Sequence, residues 1–273
     1  MINTNIELIT PFSANEYLKN NTQNRKININ HVRELARAIT NNDWELNGVP
    51  VIFAENGRLI DGQHRLHAIV WANRPVKMLV IRGVSNSSFD TIDVGMKRTT
   101  GQILQMQGIK NANNVSASAR LLDAWRKTGR VHRSFSNLTA RETERMLNKD
   151  SGLIESSNYV YSSGVLKKLI SPSHATTFHY VLGLHNANMR DEFFNVLTTG
   201  MTDNERYFVV VKLRDWLIIN AGARGINVDT KAMYFCKTIK HVVNDTRPKI
   251  LKVALNGAST DKNPYDMGIS REI

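Results

Sequence analysis

Cysteine is almost missing from this chain. Cys236 stands alone among 273 residues, which excludes an internal disulfide framework and a zinc site built from cysteines. Its surroundings, MYFCKTI, are mostly apolar, so the expectation is a small core residue rather than a reactive thiol, in keeping with a reducing compartment. Long hydrophobic runs are missing as well. Stretches such as YFVVV are far too short to span a bilayer, and MINTNIELITPF has neither the basic start nor the apolar stretch of a signal peptide. The expectation is a cytoplasmic protein with no membrane partner. Six prolines and 16 glycines leave little room for a long disordered segment, although the tail from about residue 257 reads as loose. There is no internal repeat and no low-complexity stretch.

Positive charge, by contrast, is in excess: 36 Lys and Arg stand against 24 Asp and Glu, a net charge of +12. Such an excess attracts polyanions, because neutralising phosphates releases counterions. No Lys/Arg block forms a tail, so the expected partner surface is a broad basic face, with DNA as the expected partner.

Hydrophobic patterning divides the chain in two. Up to about residue 84, short apolar runs alternate with amphipathic ones. IELIT reads as a strand, and ANEYLKNN as a helix capped by Ser13 with Glu16 at the capping-box position. In HVRELARAITNND, with Asn30 as the expected cap, Val32, Leu35, Ala36 and Ile39 make one helical stripe. VPVIFA and RLI read as strands joined by the Asn56-Gly57 hairpin signal, followed by the helix DGQHRLHAIVWAN and the strand VKMLVIRGV. The order β-α-α-β-β-α-β implies a small mixed sheet carrying helices. From about residue 85 strand signals fade, and the segments from TTGQILQMQG onward read as helices, with Gly108, Gly129, Gly200 and Gly222 where helices stop. The expected class is therefore α+β: residues 1–84 a mixed-sheet domain, 85–110 a junction, and 111–273 all helical.

The chemistry concentrates in GRLIDGQHRLHA. Asp61 is expected to cap the helix, with Gly62, Gln63 and His64 as its first turn. The first N–H groups of a helix lack internal partners and lie at the positive end of its dipole, which makes an anion site. Gly62 admits a close ligand, Arg65 can hold a phosphate through two N–H groups, and His64 can donate to a phosphate oxygen or move a proton. The plainer reading makes Asp61 a cap and leaves His64 and Arg65 on the surface. His64 and His67 are one turn apart, but no carboxylate motif completes a zinc site, so no protein-held metal is expected.

These residues resemble the ParB/sulfiredoxin-like superfamily. Gly62, Gln63, His64, Arg65, His67 and Ala68 fall on the strand-turn-helix box that ParB-type proteins carry as G-E-R-R-x-R-A and sulfiredoxins as G-C-H-R. The run from Asn24 and Arg25 through NNDW to NGVPVIF is similar to the ParB approach to that box. DGQHR-type phage proteins are nearer still, and their pattern continues here through Phe89, Thr91, Ile92, Asp93, Gly95 and Arg98. The resemblance covers about residues 1–110. It implies a nucleoside triphosphate, with Mg2+, whose phosphates meet Asp61, Gly62, Gln63, His64, Arg65, Arg25 and Arg98. A homodimer and a location in a host cell's cytoplasm are compatible with it.

Departures from the box narrow this. Gln63 stands where sulfiredoxin has its reactive Cys, which removes sulfur chemistry, and His64 replaces a ParB arginine, which removes the basis for CTP selectivity. DGQHR lies closer to the D-G-H-H-R turn of free-serine kinases. Three functions remain open: a DNA-associated nucleotide-binding protein, an enzyme of NTPase, nuclease or phosphotransferase type using Asp90, Asp93 or His64, and a non-catalytic DNA-binding or host-interacting protein. For DNA, the densest basic stretch is RKTGRVHR, with Arg126, Lys127, Arg130 and Arg133 as candidate phosphate contacts. A solvated helix end, its cations favoured by the C-terminal dipole, accounts for the same residues.

Overall fold

The computed structural model describes residues 1–22, 24–86, 98–252 and 263–272. The chain is a mixed α+β protein that splits into two compact units, Met1–Lys97 and Arg98–Ile273.

The first unit follows the order read from the pattern: β1 (Asn3–Ile9), α1 (Pro11–Leu18), α2 (Ile29–Thr40), β2 (Val51–Ala54), β3 (Leu59–Asp61), α3 (Gln63–Ala72) and β4 (Val76–Val84). The sheet order is β1-β4-β2-β3. β4 runs antiparallel to β1 and parallel to β2, while β2 and β3 form the antiparallel hairpin. Gly57 closes that hairpin at φ +82°, a backbone geometry that favours glycine. The core lies on one face of the sheet. Ile9, Val51, Phe53, Leu59, Met78 and Val80 pack there against Val32, Ala36 and Ile39 of α2 and Leu66 and Ile69 of α3.

Two helix starts differ from the reading above. α1 is capped by Thr10, whose side chain accepts from the Ser13 N–H at 3.1 Å, while Ser13 closes the box as the N3 residue. Pro11 then sits at the first helical position, where its missing N–H costs nothing. α2 is capped by Asn28 rather than Asn30. Its side-chain oxygen accepts from the N–H groups of Asn30 and His31.

The second unit comprises α4 (Thr100–Met106), α5 (Ala112–Thr128), α6 (Ala140–Lys149), α7 (Gly152–Ser162), α8 (Leu166–Leu169), α9 (Pro172–His185), α10 (Ala187–Thr199), α11 (Phe208–Ile219) and α12 (Val228–Val243). Short 3-10 turns lie at Arg133–Phe135 and Glu205–Tyr207. Trp125, Phe178, Phe193, Phe194 and Phe235 fill its core, with Cys236 fully buried among them. α9 is buried nearly all round, as a helix at the centre of a bundle must be. Tyr207 is core, whereas its neighbour Phe208 is 47% exposed. The segment 263–272 is docked rather than loose. Tyr265, Met267 and Ile269 are buried in the helical core, Asn263 donates to the Gly129 carbonyl, and Asp266 pairs with Lys240 at 2.8 Å.

The net charge divides unevenly between the units. The first carries +2, from eleven Lys and Arg against nine Asp and Glu, and the second +10, from 25 against 15.

Candidate functional site

The turn from β3 into α3 is built otherwise than its spacing suggests. Asp61 ends β3, paired across the hairpin with Ile52, and does not cap the helix. The cap residue is Gly62, at φ 106° and ψ 0°, and no side chain bonds to the helix start. Glycine is required there for two reasons: the positive φ, and the close approach of β2. A Cβ would stand 3.0 Å from a Val51 methyl and 3.2 Å from the Val51 Cα. The hydrogen in place of a side chain thus admits a neighbouring strand rather than a ligand. The uncapped start nonetheless leaves the first N–H groups of α3 without a side-chain acceptor at the positive end of its dipole.

The side chains of this turn are buried and already employed. Gln63 is 5% exposed. Its amide donates to the Arg25 carbonyl at 3.0 Å and accepts from Asn21 at 3.1 Å. Asn24 extends the network, donating to Asn21 Oδ1 at 2.6 Å and to the Leu59 carbonyl at 2.7 Å. His64, 9% exposed, accepts the Asn28 backbone N–H through Nε2 at 3.1 Å. That bond requires Nε2 to be unprotonated, so the neutral ring carries its proton on Nδ1. Gln63 and His64 therefore hold Asn21, Arg25 and Asn28, ahead of α2, onto α3. Arg65 spans its own helix turn, donating through Nη2 to Asp61 Oδ2 at 2.8 Å and to the Pro50 carbonyl at 2.7 Å.

Together these elements enclose a cavity of about 260 Å3. Asp61, Gly62, His64 and Arg65 line it from the β3–α3 turn, Arg25 from the segment ahead of α2, and His31 and Leu35 from α2. Trp44, Asn47 and Val49 complete the wall. His31 faces His64 with ring centroids 5.4 Å apart and lies 3.3 Å from Glu34. The cavity thus combines the start of α3 and the cations Arg25 and Arg65, the latter paired with Asp61, with the apolar side chains of Leu35, Trp44 and Val49. Sequence reasoning did not single out His31. A signal for His31 was present: Asn28 is a good cap, and it puts His31 in the first turn of α2. His67 lies off the cavity, half-buried, and burial pulls its imidazole below the ordinary range.

Of the remaining candidates, Asp90 and Asp93 lie outside the described residues. Arg98 is exposed just ahead of α4, in the second unit. In the basic stretch of that unit, Arg126 is engaged within the fold. Its guanidinium meets both oxygens of Asp150, at 2.7 and 2.8 Å, and Tyr180 donates to the same carboxylate at 2.7 Å. Burial pushes the Asp150 carboxyl up, but the hydrogen bonds from Arg126 and Tyr180 outweigh it and hold the group below the usual range. Lys127 is exposed and pairs with Asp123 at 2.9 Å. Arg130 lies over the Phe135 ring at 5.2 Å, and Arg133 is exposed. Among the described residues no group of three or more His, Cys, Asp or Glu is placed to hold a metal ion, and no helix is long and apolar enough to cross a membrane. Comparison with known proteins returns no matching family model, no similar curated protein and no similar solved structure.

Proposed function

We propose that this chain is a DNA-associated nucleotide-binding protein of the ParB/sulfiredoxin-like kind, from a phage or mobile element. In this reading the phosphate end of a nucleoside triphosphate, carrying Mg2+, sits at the first turn of α3. The observation that carries it is the cavity itself: an uncapped helix start, Arg25 and Arg65 in its lining, and Trp44, Leu35 and Val49 as its apolar lining residues. A helix start offers oriented N–H donors to an anion, and an arginine adds the charge. At about 260 Å3 the space falls below the range of about 300–1,000 Å3 for sites that enclose a whole ligand. It suits the phosphates and part of the sugar, with the base at the mouth.

Binding is favoured over turnover at the described residues. His64, the nearest candidate base, has Nε2 bonded to the Asn28 N–H, and Asp61 is paired with Arg65. The DNA contact is assigned to the helical unit, because it carries +10 of the +12 charge. Calorimetric titration of ATP, GTP and CTP with Mg2+ into wild type and Arg25→Ala tests this. The expected result is binding of at least one nucleotide, weakened about tenfold or more by the substitution, as for loss of one charge-assisted contact. Arg65→Ala strips partners from Asp61 and Pro50, so circular dichroism accompanies its titration. Failure of the wild type to bind any of the three nucleotides removes the assignment.

A further inference from the structure

α2 ends on a rigid stop that places Trp44. Asn42 takes a left-handed backbone, at φ +59°, which asparagine tolerates better than most residues. The N–H groups of Asn42 and Asp43 donate to the carbonyls of Ile39 and Ala38 at 3.2 and 2.8 Å, the two bonds of a Schellman stop. Just past that turn, the half-buried Trp44 donates through Nε1 to the Lys77 carbonyl of β4 at 3.4 Å. The indole is thereby tied to the sheet.

That ring borders two cavities. Besides the cavity at the start of α3, Trp44 lines a second one of about 340 Å3, and among the described residues it alone belongs to both. Leu46 and Pro75 give the second cavity apolar surface, Arg74 and Lys77 give it charge, and no described carboxylate lines it. Arg74 is fixed at the end of α2, donating through Nη1 to the Thr40 carbonyl at 2.9 Å and to Asn42 Oδ1 at 3.4 Å. Its other N–H groups remain for a further acceptor. Lys77 is exposed. An aromatic ring between two cation-bearing hollows suits a polymer that alternates flat bases with phosphates. A free nucleotide with its phosphates at α3 has no second phosphate group to offer Arg74 and Lys77, whereas a strand has one.

We propose that the α3 cavity takes the 5′-phosphate end of a single-stranded DNA, whose first base stacks on Trp44 and whose next phosphate meets Arg74 and Lys77. This rests on the phosphate site at α3 proposed above, and extends its ligand from a nucleotide to a nucleotide that begins a chain. A base reaches an indole face only when it has left its own duplex stack, so the strand is single. Every base has such a face, so its identity matters little. The contact belongs to the first unit and is separate from the DNA contact assigned to the helical unit.

Fluorescence anisotropy of a 3′-labelled oligodeoxythymidylate of about six nucleotides, carrying a 5′-phosphate or a 5′-hydroxyl, tests the strand on the full chain. The phosphorylated strand is expected to bind about tenfold tighter, as for one charge-assisted phosphate site. Trp44→Ala is expected to weaken it about tenfold or more, for loss of one stacked base. Lys77→Ala is expected to weaken it severalfold and to lower its salt slope by about 0.7, with the calorimetric affinity for ATP, GTP and CTP unchanged. If Trp44→Ala fails to fold, Lys77→Ala carries the test. No strand binding, equal binding of the two strands, or a Lys77→Ala slope identical to wild type overturns the strand, while the nucleotide site stands or falls by its own titration. Binding of the phosphorylated strand with no nucleotide bound supports the strand and removes only the triphosphate.

Discussion

The two units bury polar side chains to different ends. In the helical unit two buried polar groups bind side chains of other segments: Asn114 donates to Ser157 of α7 and Thr176 of α9, and Asp150 gathers Arg126 and Tyr180. In the first unit, Gln63 and His64 are buried just as deeply, yet their bonds reach a loop rather than another helix, and that loop borders a cavity. One arrangement locks a core, and the other holds a wall beside a void. A buried polar cluster becomes a candidate site only when what it holds in place faces open space.

Four measurements separate the two kinds of polar burial. The largest effect is expected from Asp150→Ala. It leaves the Arg126 guanidinium half-buried without its carboxylate, at a cost of about 3–5 kcal/mol. Denaturant unfolding is expected to show the loss in the helical unit while nucleotide affinity is kept. If affinity falls equally, the two kinds of polar burial are not separate.

Next comes pH. Burial holds His174 and His179 at about 4, below the ~6.5 of an unfolded chain. Between these values the unfolded state binds more protons, so stability is full above about 6.5 and is lost as pH falls toward about 4, by a few kcal/mol for the pair. His179→Gln, which keeps a polar partner for Ser156, is expected to flatten part of that slope. A slope identical to wild type places the proton uptake elsewhere.

Gln63→Ala is expected to act locally. It removes both amide bonds that fix Asn21 and Arg25, worth about 1 kcal/mol each. Hydrogen exchange in residues 20–28 is predicted to quicken about tenfold and nucleotide affinity to drop with it, while the melting temperature moves little. Faster exchange with unchanged affinity would show that the loop takes no part in binding. The smallest effect belongs to Arg130→Ala and Arg133→Ala, each of which is expected to lower the salt slope of DNA binding by about one. An unaltered slope removes these residues from the DNA surface.

Periodicity made most of the fold legible. The stripe of α2 and the Asn56-Gly57 turn imply the first unit, and glycine punctuation after α5 and α10 marks helix ends at Gly129 and Gly200. Caps were less legible, because Thr10 and Asn28 compete with good capping residues nearby, and only the path of the chain chooses between them. The site was legible as a location and not as a set of roles. DGQHR marks where the helix starts, but Gln63 reaches back about 40 residues in sequence to the Arg25 carbonyl, and no local pattern encodes that contact. Gly62 was read for ligand approach when the neighbour it admits is Val51. The tail from 263 onward looks polar, yet three spaced apolar residues, Tyr265, Met267 and Ile269, dock it.

The proposed site puts a nucleotide's phosphates at the first turn of α3. Backbone amide chemical shifts, followed while ATP, GTP and CTP are added in turn with Mg2+, test it most directly. Saturable shifts are expected at Gln63, His64, Arg65 and Arg25, reduced in Arg25→Ala. Shifts confined to other parts of the chain, or none with any of the three nucleotides, would contradict it.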